Sequence, residues 1–117
     1  MTDRFRQAMR LMRRHNPQDR EDGFALLRPH AAEHLDQLIA EFNQEQADHG
    51  LRLWLLELIG AARSPQALPL LVEQLHNDNE RLRSRAVSGL EKLNTKPARY
   101  ELMKARANGL LDRPHTT

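Results

Sequence analysis

A segment of this chain repeats itself at a spacing of 31 residues. Leu51-Arg52-Leu53-Trp54-Leu55-Leu56 aligns with Leu82-Arg83-Ser84-Arg85-Ala86-Val87. The same offset carries Ile59 onto Leu90, Ala62 onto Leu93, Ser64 onto Thr95, Ala67 onto Ala98 and Leu71 onto Leu102. A unit of that length holds two short helices and a turn. It cannot bury its apolar face alone, so copies must stack side by side. Upstream, Leu35, Leu38, Ile39 and Phe42 fall on Leu68, Leu71, Val72 and Leu75 at an offset of 33, the difference being absorbed in the turn from Asn43 to His49. A third copy is looser: Arg20, Gly23 and Leu27 align with Arg83, Ala86 and Leu90 at an offset of 63.

The expected helices are 2–14, 18–28, 31–43, 49–62, 65–77, 79–93 and 96–107, about three and a half hairpins. Capping residues and prolines mark their ends at Asn16-Pro17, Ser64-Pro65, Asn77-Asp78-Asn79 and Asn94-Thr95-Lys96-Pro97. Pro29 and Pro69 fall where a first helical turn tolerates a missing N–H. Leu51, Leu55, Leu58, Ile59 and Ala62 share one face at the 3.6-residue period, as do Leu82, Ala86, Leu90 and Leu93 in the next copy. Those faces are the expected core. The chain is therefore expected to be one all-α domain over residues 1–107. From Asn108 onward breakers and polar groups predict a frayed tail to Thr117.

Composition narrows the function classes. The chain has 117 residues and no cysteine, which excludes disulfide frameworks and thiolate metal sites and points to the cytoplasm. Charged residues run through the first fourteen positions, unlike the apolar core of a signal peptide, and the longest apolar run, Leu53 to Leu56, is far too short to span a membrane. Eighteen basic residues face sixteen acidic ones, a formal net charge of +2, so the molecule as a whole is no polycation. Arg4, Arg6, Arg10, Arg13 and Arg14 nevertheless crowd the first helix.

Ala67-Leu68-Pro69-Leu70-Leu71, the turn Asn77-Asp78-Asn79-Glu80 and Leu82-Arg83-Ser84-Arg85-Ala86-Val87-Ser88-Gly89-Leu90 together resemble the HEAT repeat. The likeness includes the sub-type found in bilin lyases, where a first helix with Pro near its start precedes an Asp/Asn turn and an Arg-x-x-Ala-x-x-x-Leu second helix. It is strong from about residue 48 to 107 and diluted before that, since Glu21 and Phe24 interrupt the motif. The resemblance implies an α-solenoid, a right-handed superhelical stack in which the second helix of each hairpin lines a concave surface.

His30-Ala31-Ala32-Glu33-His34 matches H-x-x-E-H, the zinc signature of inverted zincins. The alternative is an amphipathic helix with Ala31, Leu35, Leu38, Ile39 and Phe42 inward and His30, Glu33, His34, Gln37 and Glu41 in solvent. A catalytic zinc needs a third protein ligand and a dry cleft, so neither a metal nor any other cofactor is expected. No G-x-S-x-G, phosphate loop or cysteine nucleophile is present, and no catalytic residue is assigned.

A binding face is the stronger expectation. Advancing 100° per residue from the core centre puts Leu53 opposite the core, Glu57 beside it and Trp54 at the edge. Repeat register adds Ser84, Arg85, Ser88 and Lys92 on the next ridge, and Glu21, Asp22 and Ala25 on the previous one. Trp and Arg are frequent interface anchors; alternatively, Trp54 and Leu53 pack beneath a neighbouring element. The first helix offers a ridge of Arg6, Arg10, Arg13 and Arg14 behind an inward face of Phe5, Ala8, Met9 and Met12. That ridge is either a solvated cap or a phosphate-contacting site. The expected function is a non-catalytic module, monomeric on its own, that binds one protein partner. Small free-standing HEAT units resemble bacterial adaptors and immunity proteins that block a cognate toxin; nucleic-acid binding, as in HEAT-like DNA glycosylases, is the alternative.

Overall fold

The computed structural model describes residues 3–109. In chain order it contains α1 (Asp3–Met12), α2 (Pro17–Leu27), a first 3-10 segment (Arg28–His34), α3 (Leu35–Gln44), α4 (His49–Ala61), a second 3-10 segment (Pro65–Ala67), α5 (Leu68–Gln74), α6 (Glu80–Leu93) and α7 (Lys96–Ala107). The described residues contain no strand. Beyond Gly109 the expected tail lies outside the described residues.

Side-chain caps start the helices where the breakers stand. Asn16 Oδ1 accepts from the backbone N–H groups of Gln18 and Asp19, and Asn79 Oδ1 from those of Arg81 and Leu82. Asp48 caps α4 through Leu51 N–H at 3.0 Å, and Thr95 caps α7 through Ala98 N–H at 3.2 Å. Each satisfies a donor that the first helical turn leaves unpaired. The caps obey the repeat: Asp48 and Asn79 are one 31-residue step apart, as are Ser64 and Thr95. So are the left-handed residues just past α4 and α6, Arg63 at φ 50° and Asn94 at φ 51°.

Four residues after Asn16, Asp48, Asn79 and Thr95, though not after Ser64, stands an arginine: Arg20, Arg52, Arg83 and Arg99. Three of them reach back to carbonyls of the preceding turn. Arg20 Nε donates to Arg14 O at 2.6 Å, Arg83 Nη1 to Asn77 O at 2.8 Å and Asp78 O at 2.9 Å, and Arg99 Nη1 to Asn94 O at 2.8 Å. Arg52 instead lays its guanidinium over the Phe42 ring, 4.1 Å from the centroid.

The hairpins pair α1 with α2, α3 with α4 and α5 with α6, while α2, α4 and α6 touch in order as an inner row. Phe5, Phe42, Met12, Leu27, Leu38, Leu51, Leu55, Leu58, Ile59 and Leu71 are fully buried between the rows. All four residues expected inward on α1 are buried. The outer row is joined by Arg13, which donates to Glu41 at 2.7 Å and Glu45 at 2.8 Å, tying α1 to α3. The result is a slab of 43 × 34 × 21 Å, a short solenoid.

Two expected helices differ in their first turns. The helix expected at 31–43 begins earlier as a 3-10 segment, kinked at His30 with φ −117° and ψ 18°, before α3 proper. The helix expected at 65–77 opens with the second 3-10 segment and ends as an α-helix at Gln74. Pro29 and Pro65 each sit in a first turn, where they end the preceding pattern without forbidding a tighter helix.

Candidate interaction surface

The 3-10 geometry relocates the histidine motif. With three residues per turn, His34 falls directly above Ala31, and both are buried, His34 with 4% of its surface exposed. The expectation that His34 faces solvent is corrected by that change of period. Its ring lies 5.5 Å from the Phe5 ring, its Nδ1 pairs with Gln37 Oε1 at 2.9 Å, and its Nε2 is buried without a hydrogen-bond partner. His30 pairs with Glu33 at 3.0 Å, and this hydrogen bond holds the Glu33 carboxyl below the usual carboxylate range. Among the described residues no group of three or more His, Cys, Asp or Glu side chains is placed to hold a metal ion.

The residues singled out for binding lie on the inner row. Six positions after the caps of α2, α4 and α6 stand Asp22, Trp54 and Arg85; nine after stand Ala25, Glu57 and Ser88. The rows of equivalent positions therefore run across three helices. Trp54 and Glu57 of α4 and Glu21, Asp22 and Ala25 of α2 line one groove of about 450 Å³, with Gln18 and Phe24 completing it.

Trp54 has features of both readings made of it. It is half-buried, with its ring edge-on to Phe24 at 4.5 Å between centroids and an interplanar angle of 82°, a favoured aromatic geometry. It also lines the groove. One side chain serves packing and surface together.

Glu57 reaches the other way, to Arg85 Nε on α6 at 3.8 Å, with 37% and 39% of the two side chains exposed. Arg85 thus borders the groove through Glu57. Ser88 and Lys92 are half-buried farther along α6 and do not line the groove. Leu53 departs from its expected place opposite the core: it is half-buried and packed against the core. The reason is the position of α4, hemmed by α2 and α6 in its own row and by α3 and the first 3-10 segment behind it. A central helix has no fully solvated side.

The spacing of the row differs on the two flanks of α4. Gly60 and Gly89 let α4 and α6 meet backbone to backbone. Between α2 and α4 stand the two rings of Phe24 and Trp54, which hold the helices apart and open the groove. Phe24 and Gln18 are the lining residues that the sequence reading did not assign. Phe24 signalled its role only as an interruption of the repeat.

The basic helix is largely engaged within the fold. Arg6 pairs with Asp3 at 3.0 Å, Arg14 with Asp19 at 3.4 Å and Arg13 with both Glu41 and Glu45. The Glu45 hydrogen bond, foremost, raises the Arg13 pKa. No helix among the described residues is long and apolar enough to cross a membrane.

No curated protein and no solved structure matches the chain. A family model described as HEAT repeats matches residues 35–110. The match takes in α3 as well as α4 to α7, extending upstream of the stretch from residue 48 where the sequence likeness was strongest. With stacked, capped hairpins at steps of 31 to 33 residues and that match over most of its length, the chain belongs to the HEAT-repeat family.

Proposed function

We propose that the chain is a non-catalytic module that holds one protein partner on the exposed side of α2, α4 and α6. HEAT repeats generally mediate protein–protein interaction. The observation that carries the reading here is the groove itself: the chain's one Trp, half-buried rather than sealed in the core, lines it beside Glu57, with Arg85 bordering it. Trp and Arg dominate interface hot spots because they join large contact area with directed polar groups. The arginines of α1 favour this reading over nucleic-acid binding. Three of the five are engaged by carboxylates of the chain, which lowers the positive charge available to phosphates.

Purification of the tagged chain from its native host, wild type beside the double variant Trp54→Ala/Arg85→Ala, tests the proposal. The wild type should carry one stoichiometric protein that the variant lacks, with both chains equally helical by circular dichroism. Retention of that protein by the variant means another face binds it. The finer role, an immunity protein that blocks a cognate toxin, rests on the likeness to small free-standing HEAT units. Co-expression with a neighbouring toxin-domain gene tests it: growth should be rescued by the wild type and not by the double variant.

A further inference from the structure

The groove has a definite electrostatic character. Its walls are the rings of Trp54 and Phe24, and its rim carries the carboxylates of Glu21, Asp22 and Glu57. Among the described residues neither Glu21 nor Asp22 takes part in an ion pair. Asp22 accepts the neutral Gln18 amide at 2.9 Å, which leaves its charge uncompensated. Glu57 has Arg85 at 3.8 Å, a long contact between two well-exposed groups that neutralises neither. Three carboxylates thus gather around an aromatic-walled groove in a chain whose formal net charge is positive.

We infer that the groove between α2 and α4 seats an arginine or lysine side chain presented by a basic segment of the protein partner; the inference rests on the protein-binding reading above. A cation within about 6 Å of an aromatic centroid is drawn to the ring quadrupole, and ionised carboxylates supply strong acceptors for its N–H groups. The fold already uses this pairing three times, with Arg52 over Phe42, with Lys104 over Tyr100 and with Arg28 over Phe24, 5.8 Å from the centroid. Phe24 therefore holds one cation of the chain itself on the flank of the groove. A volume of about 450 Å³ lies in the range of formed ligand sites. An acidic peptide or a nucleic acid meets three like charges at the same place. No cation is among the lining residues; Arg85 borders the groove through Glu57, and Lys92 lies farther along α6, so a matching segment carries its positive charge over α2 and α4.

Nona-arginine is the probe, with nona-glutamate as control, each titrated into the chain while the fluorescence of Trp54, the one Trp present, is followed. The comparison is the triple variant Glu21→Gln/Asp22→Asn/Glu57→Gln, which keeps side-chain shape at positions open to solvent. Nona-arginine should bind saturably and nona-glutamate should not, and the triple variant should bind nona-arginine roughly tenfold or more weakly, about 1.4 kcal/mol. Equal affinity for wild type and triple variant, or no saturable binding to wild type, overturns the inference. A concentration-dependent dimer that the triple variant dissolves in sedimentation also overturns it, by assigning the groove to the arginines of α1 in a second copy. The two levels of the reading fail separately. If the triple variant keeps the native partner that Trp54→Ala/Arg85→Ala loses, the binding face stands and the cationic seat falls.

Discussion

Gly60 on α4 and Gly89 on α6 face each other so closely that a Cβ added at Gly60 would lie 2.9 Å from the Gly89 Cα. At Gly89 the added atom would meet a methyl of Leu71 at 2.9 Å and the Gly60 Cα at 3.1 Å. A methyl at the end of a leucine can move aside, whereas backbone cannot. Gly60→Ala should therefore destabilise by about 1–2 kcal/mol, the overpacking penalty less the helix propensity that alanine adds. Gly89→Ala, whose added atom meets the same backbone at the longer 3.1 Å, should cost less than Gly60→Ala. Urea unfolding of the two variants checks the order, and a larger loss at Gly89 would contradict the backbone contact.

Arg63 and Asn94 close α4 and α6 in the same left-handed conformation, yet only asparagine is suited to it. A side chain such as arginine pays a Cβ clash there that glycine avoids. Arg63→Gly should raise stability by about 0.5–1 kcal/mol, and Asn94→Gly should change it by less. Thermal unfolding of the pair distinguishes them.

Arg20 of α2 ties the first hairpin to the second through Asp48, at 3.0 Å and only partly exposed, while Asp48 also caps α4. Asp48→Ala removes cap and ion pair together and should cost about 1–2 kcal/mol. Arg20→Ala and the double variant complete a cycle whose coupling should be about 0.5–1 kcal/mol. A coupling of zero would mean the pair is ornamental to the joint between hairpins.

Glu45 gives the fold an acid-sensitive clasp. The Asp48 N–H first, and then the Arg13 guanidinium, hold its carboxyl below the ordinary value of 4.5. A carboxylate with a lowered folded pKa contributes stability above its unfolded value and loses it as pH falls through the folded one. The stability gap between wild type and Glu45→Gln should be constant from neutrality to about pH 5 and close on further acidification. Unfolding measured across that range checks it; a gap that widened in acid would reverse the sign.

Much of the architecture was legible because caps and apolar period speak locally. Asn16, Ser64, Asn79 and Thr95 stand at helix starts whatever lies around them, and α7 runs from Lys96 to Ala107 as read. His34 was misread because its burial depends on a change from 3.6 to three residues per turn, which Pro29 permits but does not announce. For Leu53 the helical wheel, which sees one helix, points away from the core, whereas the alternative of packing beneath a neighbour matches its half-buried place in the stack. The candidate groove was half legible. Trp54 and Glu57 followed from the helical wheel and Glu21 and Asp22 from register, whereas Phe24 broke the register and was discounted for the property that makes it a wall.

The arginines four residues past Asn16, Asn79 and Thr95 fasten each turn from inside the helix that follows it. A hairpin built this way brings its own joint when it is copied. The turn before α4 is the exception: Arg52 leaves it, and Arg13 and Arg20 of the first hairpin hold it through Glu45 and Asp48. Growth by duplication is thus favoured by the placement of a single side chain, while the groove, made by two rings that the equivalent positions of the other hairpins lack, is what duplication alone would not produce.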